Sequence, residues 1–234
     1  MNINELRATS WEDFIGQDQT VKSIKIAIAA AGKRKQVLEH ILLYGPPGLG
    51  KTTLAHLVAK TLGSSIKITS GPALTRVGDL ASILTQLETG DVLFIDEIHR
   101  LNKAVEETLY PVMEDGALDM IVGKGPGARS VRIELNPFTL IGATTKAGMI
   151  SAPLRDRFGL VHRLKYYEDA DLAKIVVTAS KRLGFFIDHA SALEIARRSR
   201  GTARIALKLL RRVVDFCEVE HGQKPNLEIT QKAL

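Results

Sequence analysis

The stretch Gly45-Pro46-Pro47-Gly48-Leu49-Gly50-Lys51-Thr52-Thr53 limits what this chain can fold into more than any other. The apolar run before it, Ile41-Leu42-Leu43-Tyr44, reads as a buried strand. Leu54, Leu57, Val58 and Leu62 follow on one side of a helix. Strand, glycine-rich loop and helix in that order match the phosphate-loop pattern G-x-x-x-x-G-K-[ST] in the context the pattern requires. Gly45, Gly48 and Gly50 have no Cβ, so the backbone can curl and turn its N–H groups inward. A helix starting near Lys51 adds the positive end of its dipole. Lys51 is expected to reach the outer phosphates of a nucleotide, and the Thr52 hydroxyl to ligate Mg²⁺.

The chain has 234 residues, enough for one large domain or two smaller ones. With 45% hydrophobic and 25% charged residues it has the makeup of a soluble protein. No apolar run approaches the ~18 residues of a membrane span. The N-terminal residues Met1 to Arg7 have no apolar core and do not read as a secretory signal. The single cysteine, Cys217, reads as a buried thiol in a helix and fits a reducing, cytoplasmic compartment. A net charge of +6 permits nucleic-acid contact and is equally an ordinary soluble surface.

Residues 1–16 read as an extended arm anchored through Trp11, Phe14 and Ile15. A helix is expected over Gln17–Ala31, stopped by Gly32, with Lys33, Arg34 and Lys35 compensating its dipole. After the loop come a short strand, Ile66–Thr69, and a helix holding Leu80, Ile83, Leu84 and Leu87. Val92-Leu93-Phe94-Ile95 is a continuous apolar strand that delivers Asp96 and Glu97 at its C-terminal end. Open α/β sheets bind ligands at that end. Asp96 is placed to hold Mg²⁺ through water and Glu97 to orient and polarise an attacking water. His99 has two readings, a sensor of nucleotide state or a solvated loop histidine.

Asn102 should cap a helix over Lys103–Met113. Ala117–Val122 and Ser130–Leu135 then read as a β-hairpin inserted before the core strand Thr139–Gly142. Leu118, Met120 and Val122 alternate, as do Val131, Ile133 and Leu135, while Ile121 lies on the other face without obvious cover. An isolated hairpin is marginal. Either it folds onto the body or it offers a docking surface, and Lys124 with Arg129 at its tip leaves DNA contact open. Thr144 and Thr145 end the core strand, where a hydroxyl can meet the γ-phosphate or the attacking water. Pro153–Phe158 carries Arg155 and Arg157 on a short helical turn. They read either as a surface network with Asp156 or as an arginine finger acting on a neighbouring subunit. Beyond Tyr166-Tyr167-Glu168 only helices are expected: Asp171–Leu183, Ala190–Ser199 and Thr202–His221. The last has a stripe of Ile205, Leu209, Val213 and Phe216 and Gly222 as its stop. Thr230 reads as the N-cap of a further helix, so the chain is expected to be a fragment of something longer.

Phosphate loop, Asp96-Glu97 and helical lid together resemble the AAA+ ATPases. Within them, several segments are similar to the RuvB family of bacterial Holliday-junction branch-migration motors: Phe14-Ile15-Gly16-Gln17, Tyr44 to Thr53, Ile95 to Leu101, Leu140 to Thr145, Pro153 to Gly159 and Arg200 to Arg204. The resemblance runs from about residue 7 to 230. It implies an α/β fold with a P-loop parallel sheet and inserted hairpin over residues 1–166. A small helical lid takes up 167–234, and the family's C-terminal winged-helix domain is not encoded.

The resemblance also implies ATP/ADP and Mg²⁺ as ligands. Lys51, Asp96, Glu97, Thr145 (with Thr144 as fallback), Arg157 and Arg204 form the catalytic set. Ile15, Gly16, Gly45, Pro46, Pro47, Gly48, Leu49, Gly50, Lys51, Thr52, Thr53, Tyr167 and Arg204 hold nucleotide, and Thr52 and Asp96 hold the metal. Ile15, Gly16 and Tyr167 would form the adenine pocket. Implied partners are RuvA through the hairpin at about 117–136, a homo-hexamer, junction DNA and a RuvC complex, in recombination, repair and the SOS response. One departure is Arg7-Ala8, where the family usually has proline after the arginine, which leaves the arm's path open. A clamp-loader-like assembly module is the competing reading. A protein-remodelling ATPase would need an aromatic pore loop, and none is evident.

Overall fold

The computed structural model describes residues 6–122, 129–221 and 225–234. They form two compact units. One holds residues 20–45 and 54–163, and the other holds the chain up to Gln19, the loop Pro46–Thr53 and everything from Leu164 onward.

The first unit is built on a parallel sheet of five strands among the described residues. In chain order these are β1 (Ile41–Tyr44), β2 (Ile66–Ser70), β3 (Val92–Asp96), β6 (Thr139–Thr144) and β7 (Leu160–Arg163). In space the order is β2-β3-β6-β1-β7. The central strand β6 is buried at every position, which is why it reads as an unbroken small and apolar run instead of an alternating one. The edge strand β2 is more open, with Ile68 about half exposed. Pairing aligns Tyr44 with Thr144, Ile95 with Gly142 and Ser70 with Asp96, so the carboxyl ends of four strands finish almost level.

Helices α3 (Val77–Leu84) and α4 (Lys103–Glu114) pack on this sheet through Leu80, Leu84, Val105, Leu109 and Val112. Asn102 caps α4 as expected, its Oδ1 accepting from the Val105 N–H at 3.0 Å. Strand β7 was not anticipated. Its four residues alternate between half-buried and exposed, leaving no apolar run to find. Leu87 lies beyond the end of α3 yet is fully buried.

The inserted hairpin forms as expected from β4 (Ala117–Val122) and β5 (Arg129–Glu134), antiparallel, with Leu118 opposite Ile133 and Met120 opposite Val131. Its base joins the core through Leu118, Met120, Ile133 and Leu135. Further out Val131 is 42% exposed, so the apolar face is only partly covered. Across the other face Arg132 pairs with Asp115 at 3.1 Å and Asp119 at 3.5 Å. Arg129 is exposed; Lys124 and the side chain of Ile121 lie outside the described residues.

Helix α1 (Asp18–Arg34) does not stop at Gly32. It runs one half-turn further, and Lys35 takes the left-handed conformation (φ 53°) that glycine was expected to supply. The Lys35 N–H bonds the Gly32 carbonyl and the Gln36 N–H the Ala31 carbonyl, the pair of bonds of a Schellman end.

The second unit contains α6 (Asp169–Arg182), α7 (His189–Arg198), α8 (Ala203–Phe216) and α9 (Leu227–Ala233). The buried stripe of α8 is not the expected one. It consists of Ala206, Leu210, Val213 and Cys217, flanked by Leu207 and Val214, while Ile205, Leu209 and Phe216 are only half-buried. The helix has apolar residues around more than half its girth, and packing chooses the face with the small Ala206. Cys217 is buried as expected, and burial raises its thiol pKa. The α-helix passes at Cys217 into a π-turn through His221, and Gly222 lies outside the described residues. Thr230 is not an N-cap. Asn226 caps α9 by accepting from the Ile229 N–H at 2.9 Å, and Thr230 is buried inside the helix.

The N-terminal arm belongs to this unit. Arg182 of α6 donates to the carbonyl oxygens of Leu6 and Arg7 and pairs with Asp13 at 2.6 Å. This cation is a polar anchor of the arm's path that the sequence did not announce, alongside the half-buried Trp11, Phe14 and Ile15.

His40 ties three elements of the sheet unit. Its Nδ1 accepts from the Leu140 N–H at 2.9 Å, so Nε2 carries the proton and donates to the Met113 carbonyl at 3.3 Å. Burial lowers its pKa, partly opposed by the Met113 bond. A histidine held neutral in the fold contributes stability that is complete above the unfolded value of about 6.5 and is lost as pH falls through the lower folded value. The denaturation midpoint should therefore fall on acidification below about pH 6.5. His40→Gln should be less stable at neutral pH and show a flatter acid limb; identical limbs in urea titrations would contradict the assignment.

Candidate active site

In the sheet unit the candidate residues stand at the level carboxyl ends of β3 and β6. Asp96 is the last residue of β3, and its Oδ1 accepts from the Glu97 N–H at 2.9 Å. That bond fixes the rotamer of Asp96 and leaves its other oxygen available. Glu97 adopts a left-handed backbone (φ 51°, ψ 40°) and heads a 3₁₀ turn, Ile98–Arg100. For a residue with a Cβ this conformation costs on the order of 1 kcal/mol or more, and such strain persists where the surroundings hold it. Gly71 is part of what holds it. A Cβ there would collide with the Glu97 carbonyl oxygen and stand 3.1 Å from the Leu101 nitrogen. Sequence reasoning missed Gly71, although a Gly-Pro pair directly after a strand is a signal for close backbone approach.

His99 is not a solvated loop histidine. Its side chain is 3% exposed, its Nδ1 lies 2.8 Å from Thr144 Oγ1 and its Nε2 lies 3.5 Å from Glu97 Oε2. Thr144 is fully buried, and its hydroxyl also accepts from the Lys146 N–H at 2.9 Å. Its hydroxyl is thus committed inside the unit. Thr145 is half-buried, one residue beyond the strand.

Arg157 follows α5 (Ala152–Arg155). It donates to the Pro153 carbonyl at 2.6 Å, pairs with Glu114 at 3.0 Å and lies over the Tyr110 ring at 4.5 Å. Tyr110 in turn donates to Glu106 at 2.7 Å. The arginine is therefore held by its own subunit, in a network of α4 and α5 residues that does not include its neighbour Asp156. Arg155, by contrast, approaches Asp156 at 3.7 Å and is exposed.

The second unit holds the phosphate loop. Gly45, the last residue of the sheet unit before it, donates to the Thr144 carbonyl at 3.1 Å. Pro46 to Gly50 then form the loop, and Lys51 opens α2 (Lys51–Leu62) with no acidic residue in the first turn. Lys51 is 7% exposed and its ammonium donates to the Pro46 carbonyl at 2.9 Å. A buried cation at the positive end of a helix is an arrangement that an anion relieves. Thr52 and Thr53 are half-buried in the same turn. Gly48, at φ 81°, lies so close to α8 that an added Cβ would stand 2.9 Å from Arg204 Cβ. The Arg204 N–H donates to the Gly48 carbonyl at 3.2 Å, and the exposed Arg204 side chain stands at the start of α8.

Tyr167 closes the other side of the loop. Its hydroxyl donates to the Leu49 carbonyl at 3.2 Å, and its ring sits where a Cβ on Gly16 would be, 2.8 Å away. Burial raises the phenol pKa well above its usual value. Gln17 exchanges two hydrogen bonds with the Lys165 backbone, at 2.7 and 3.1 Å, next to Gly16, which lies against the Tyr167 ring. Those exchanged bonds were invisible in the sequence, because the partners are separated by most of the chain. Arg7 is a cation the site reading did not include: burial lowers its pKa, with a further contribution from the nearby charge of Arg204.

Comparison with known proteins gives one answer. The family model described as "Holliday junction DNA helicase RuvB P-loop domain" matches residues 6–164, and the "RuvB AAA lid domain" matches 167–234. The Holliday junction branch migration complex subunit RuvB of Fusobacterium nucleatum is 59% identical over 215 residues, 92% of this chain and 65% of the relative. That of Aliarcobacter butzleri is 55% identical over 233 residues, 100% of this chain and 68% of the relative. The chain thus spans about two thirds of the length of these relatives. The solved Thermotoga maritima RuvB Holliday junction branch migration motor superposes with a TM-score of 0.88 at 48% identity, covering 98% of this chain and 72% of that one. The FIGL-1 AAA domain in complex with ADP, at 17% identity and a TM-score of 0.69, shares the fold. Parallel sheet, phosphate loop, inserted hairpin and helical lid are those of an AAA+ protein, and the chain belongs to the RuvB family.

Proposed function

We propose that this chain is the Mg²⁺-dependent ATPase core of a cytoplasmic DNA motor that drives branch migration of Holliday junctions. The reading rests on two features, each seen within its own unit: a left-handed, sterically supported Glu97 behind Asp96 in one, and in the other a phosphate loop whose lysine is buried and turned onto its own backbone. Lys51 and the loop N–H groups bind the phosphates of ATP. Ile15, Gly16 and Tyr167 receive the base, with Tyr167 held in place by its bond to the Leu49 carbonyl. Thr52 and Asp96 would hold Mg²⁺, which when bound neutralises charge on the phosphoryl oxygens. Glu97 orients and polarises the attacking water, and Thr145, whose neighbour Thr144 is internally committed, senses the γ-phosphate. Catalysis of this kind is positioning and charge stabilisation, without a phosphoryl-enzyme.

Arg204 is assigned to the nucleotide from the lid, since its backbone is bonded to the loop itself. Arg157 is assigned to the ATP of a neighbouring subunit in a homo-hexamer, and the Glu114, Pro153 and Tyr110 contacts hold it ready in the free subunit. The partly uncovered hairpin is assigned to docking on RuvA, with Val131 at its exposed half. Junction DNA and a RuvC complex complete the proposed assembly. The clamp-loader-like alternative draws on the same arginine network, because a finger held by its own subunit also suits a slow nucleotide switch.

ATPase rate against protein concentration distinguishes the two. A motor should show a steep rise in rate per subunit, stimulated by junction-bound RuvA and reduced at least about 100-fold by Arg157→Ala. A low rate indifferent to concentration and partner would favour the switch. Glu97→Gln should bind ATP normally and hydrolyse essentially none; appreciable turnover in pure protein would remove Glu97 from its assigned role. Val131→Asp should keep the basal rate and weaken stimulation by RuvA, measured as a raised half-saturating RuvA concentration.

A further inference from the structure

We propose that His99 is a positioning residue that ties the aim of the Glu97 carboxylate to the end of strand β6. The inference rests on the reading of Glu97 and Thr145 given above and adds a residue to it. Three observations converge. His99 is almost wholly buried, although it follows Glu97 by only two residues, and Glu97 itself is about one third exposed. One ring nitrogen is 2.8 Å from Thr144 Oγ1 and the other faces Glu97 Oε2 at 3.5 Å. Thr144, the last residue of β6, is fully buried and immediately precedes Thr145.

The donor and acceptor roles follow from chemistry. A carboxylate only accepts, so the nitrogen that faces it, Nε2, carries the proton. In the neutral ring Nδ1 is then an acceptor, and the Thr144 hydroxyl donates to it while accepting from the Lys146 N–H. The result is a directional chain: Lys146 N–H to Thr144 O–H to the His99 ring to Glu97. The first two links are formed hydrogen bonds, the third is a facing contact, and reversing the ring tautomer would set a lone pair against the carboxylate.

The Glu97 link is longer than a formed hydrogen bond. Hydrogen bonds at catalytic groups are often loose before substrate binds. A γ-phosphate contact at Thr145 displaces the residue peptide-bonded to it, Thr144, and the buried ring passes that displacement to the carboxylate. Hydrolysis would then be coupled to recognition of the γ-phosphate, with the link tightest when ATP is bound. An apolar side chain at position 99 would fill the same space without the cost of burying two ring nitrogens, so their use at both ends is the informative point.

The test separates His99 from the catalytic reading it rests on. His99→Ala should lower kcat roughly 10- to 100-fold, the range seen when partners that orient catalytic ligands are removed. ATP affinity, measured with a fluorescent analogue, should be unchanged. His99→Gln, which puts an amide N–H near the Nε2 position, should recover part of the rate. His99→Ala combined with Thr144→Val should be no slower than His99→Ala alone, because both break one chain. A wild-type kcat in His99→Ala while Glu97→Gln is inactive would overturn the His99 proposal alone, whereas turnover by Glu97→Gln would overturn the reading beneath it. Independently of turnover, ¹⁵N spectra of histidine-labelled protein should show the Nε2–H tautomer for His99. Its ring signals should differ between the ADP-bound protein and the protein bound to a non-hydrolysable ATP analogue, and Thr144→Val should remove that difference. An Nδ1–H tautomer, or signals indifferent to nucleotide, would also overturn it.

Discussion

Parallel pairing is the constraint on which the candidate catalytic residues of the sheet unit depend. With Tyr44 opposite Thr144 and Ile95 opposite Gly142, the strands end at one level, and β3 and β6 end in the candidate residues Asp96 and Thr144. A slip of one residue would turn every side chain of the slipped strand to the other face. The apolar runs of β1, β3 and β6 resist such a slip because they are buried against helices through Leu42, Leu93, Ile95 and Leu140. The core thus does more than stabilise: it sets where Asp96, Thr144 and Gly45 stand.

At that edge the fold accepts local strain and buried polarity. Glu97 has a backbone conformation that glycine would adopt more easily, and Gly71 leaves space for its carbonyl. Two buried polar side chains, Thr144 and His99, satisfy one another beside it. A half-satisfied polar cluster would be worse than an apolar one. The bond between Thr144 and the His99 ring makes a buried histidine tolerable next to a strained turn, and the other ring nitrogen gives the carboxylate a defined neighbour.

Much of this was legible in the sequence where one residue type has one physical use. Gly48 and Lys51 marked the loop, the apolar run before Asp96 marked β3, and Asn102 marked the start of α4. Alternation marked the hairpin from Leu118 to Leu135. Reading failed where local pattern was degenerate. Gly32 offered a helix stop that Lys35 provided instead, because the Schellman bonds formed three residues later. The apolar residues of α8 allowed two stripes, and only packing against the other helices chose Ala206, Leu210 and Val213. Strand β7 had no pattern of its own and exists through pairing with β1. Around the candidate site the motif residues were legible one by one, but their contacts were not. The bond between Tyr167 and Leu49 joins positions 118 residues apart.

The two arginines show why contacts outrank motifs in assigning work. Both Arg157 and Arg204 are cations in short recognisable runs, and the family resemblance puts both in the catalytic set. In the structure the Arg204 side chain is exposed at the start of α8, while its backbone N–H is bonded to the Gly48 carbonyl of the phosphate loop. Arg157 is folded back onto Pro153, Glu114 and Tyr110, and a ligand that draws it away must replace a charge-assisted bond and a cation–π contact. An exposed ion pair contributes little, but one partly buried and backed by an aromatic ring contributes more. The same contacts therefore set a threshold for moving the Arg157 side chain, which a group of strong negative charge would have to meet.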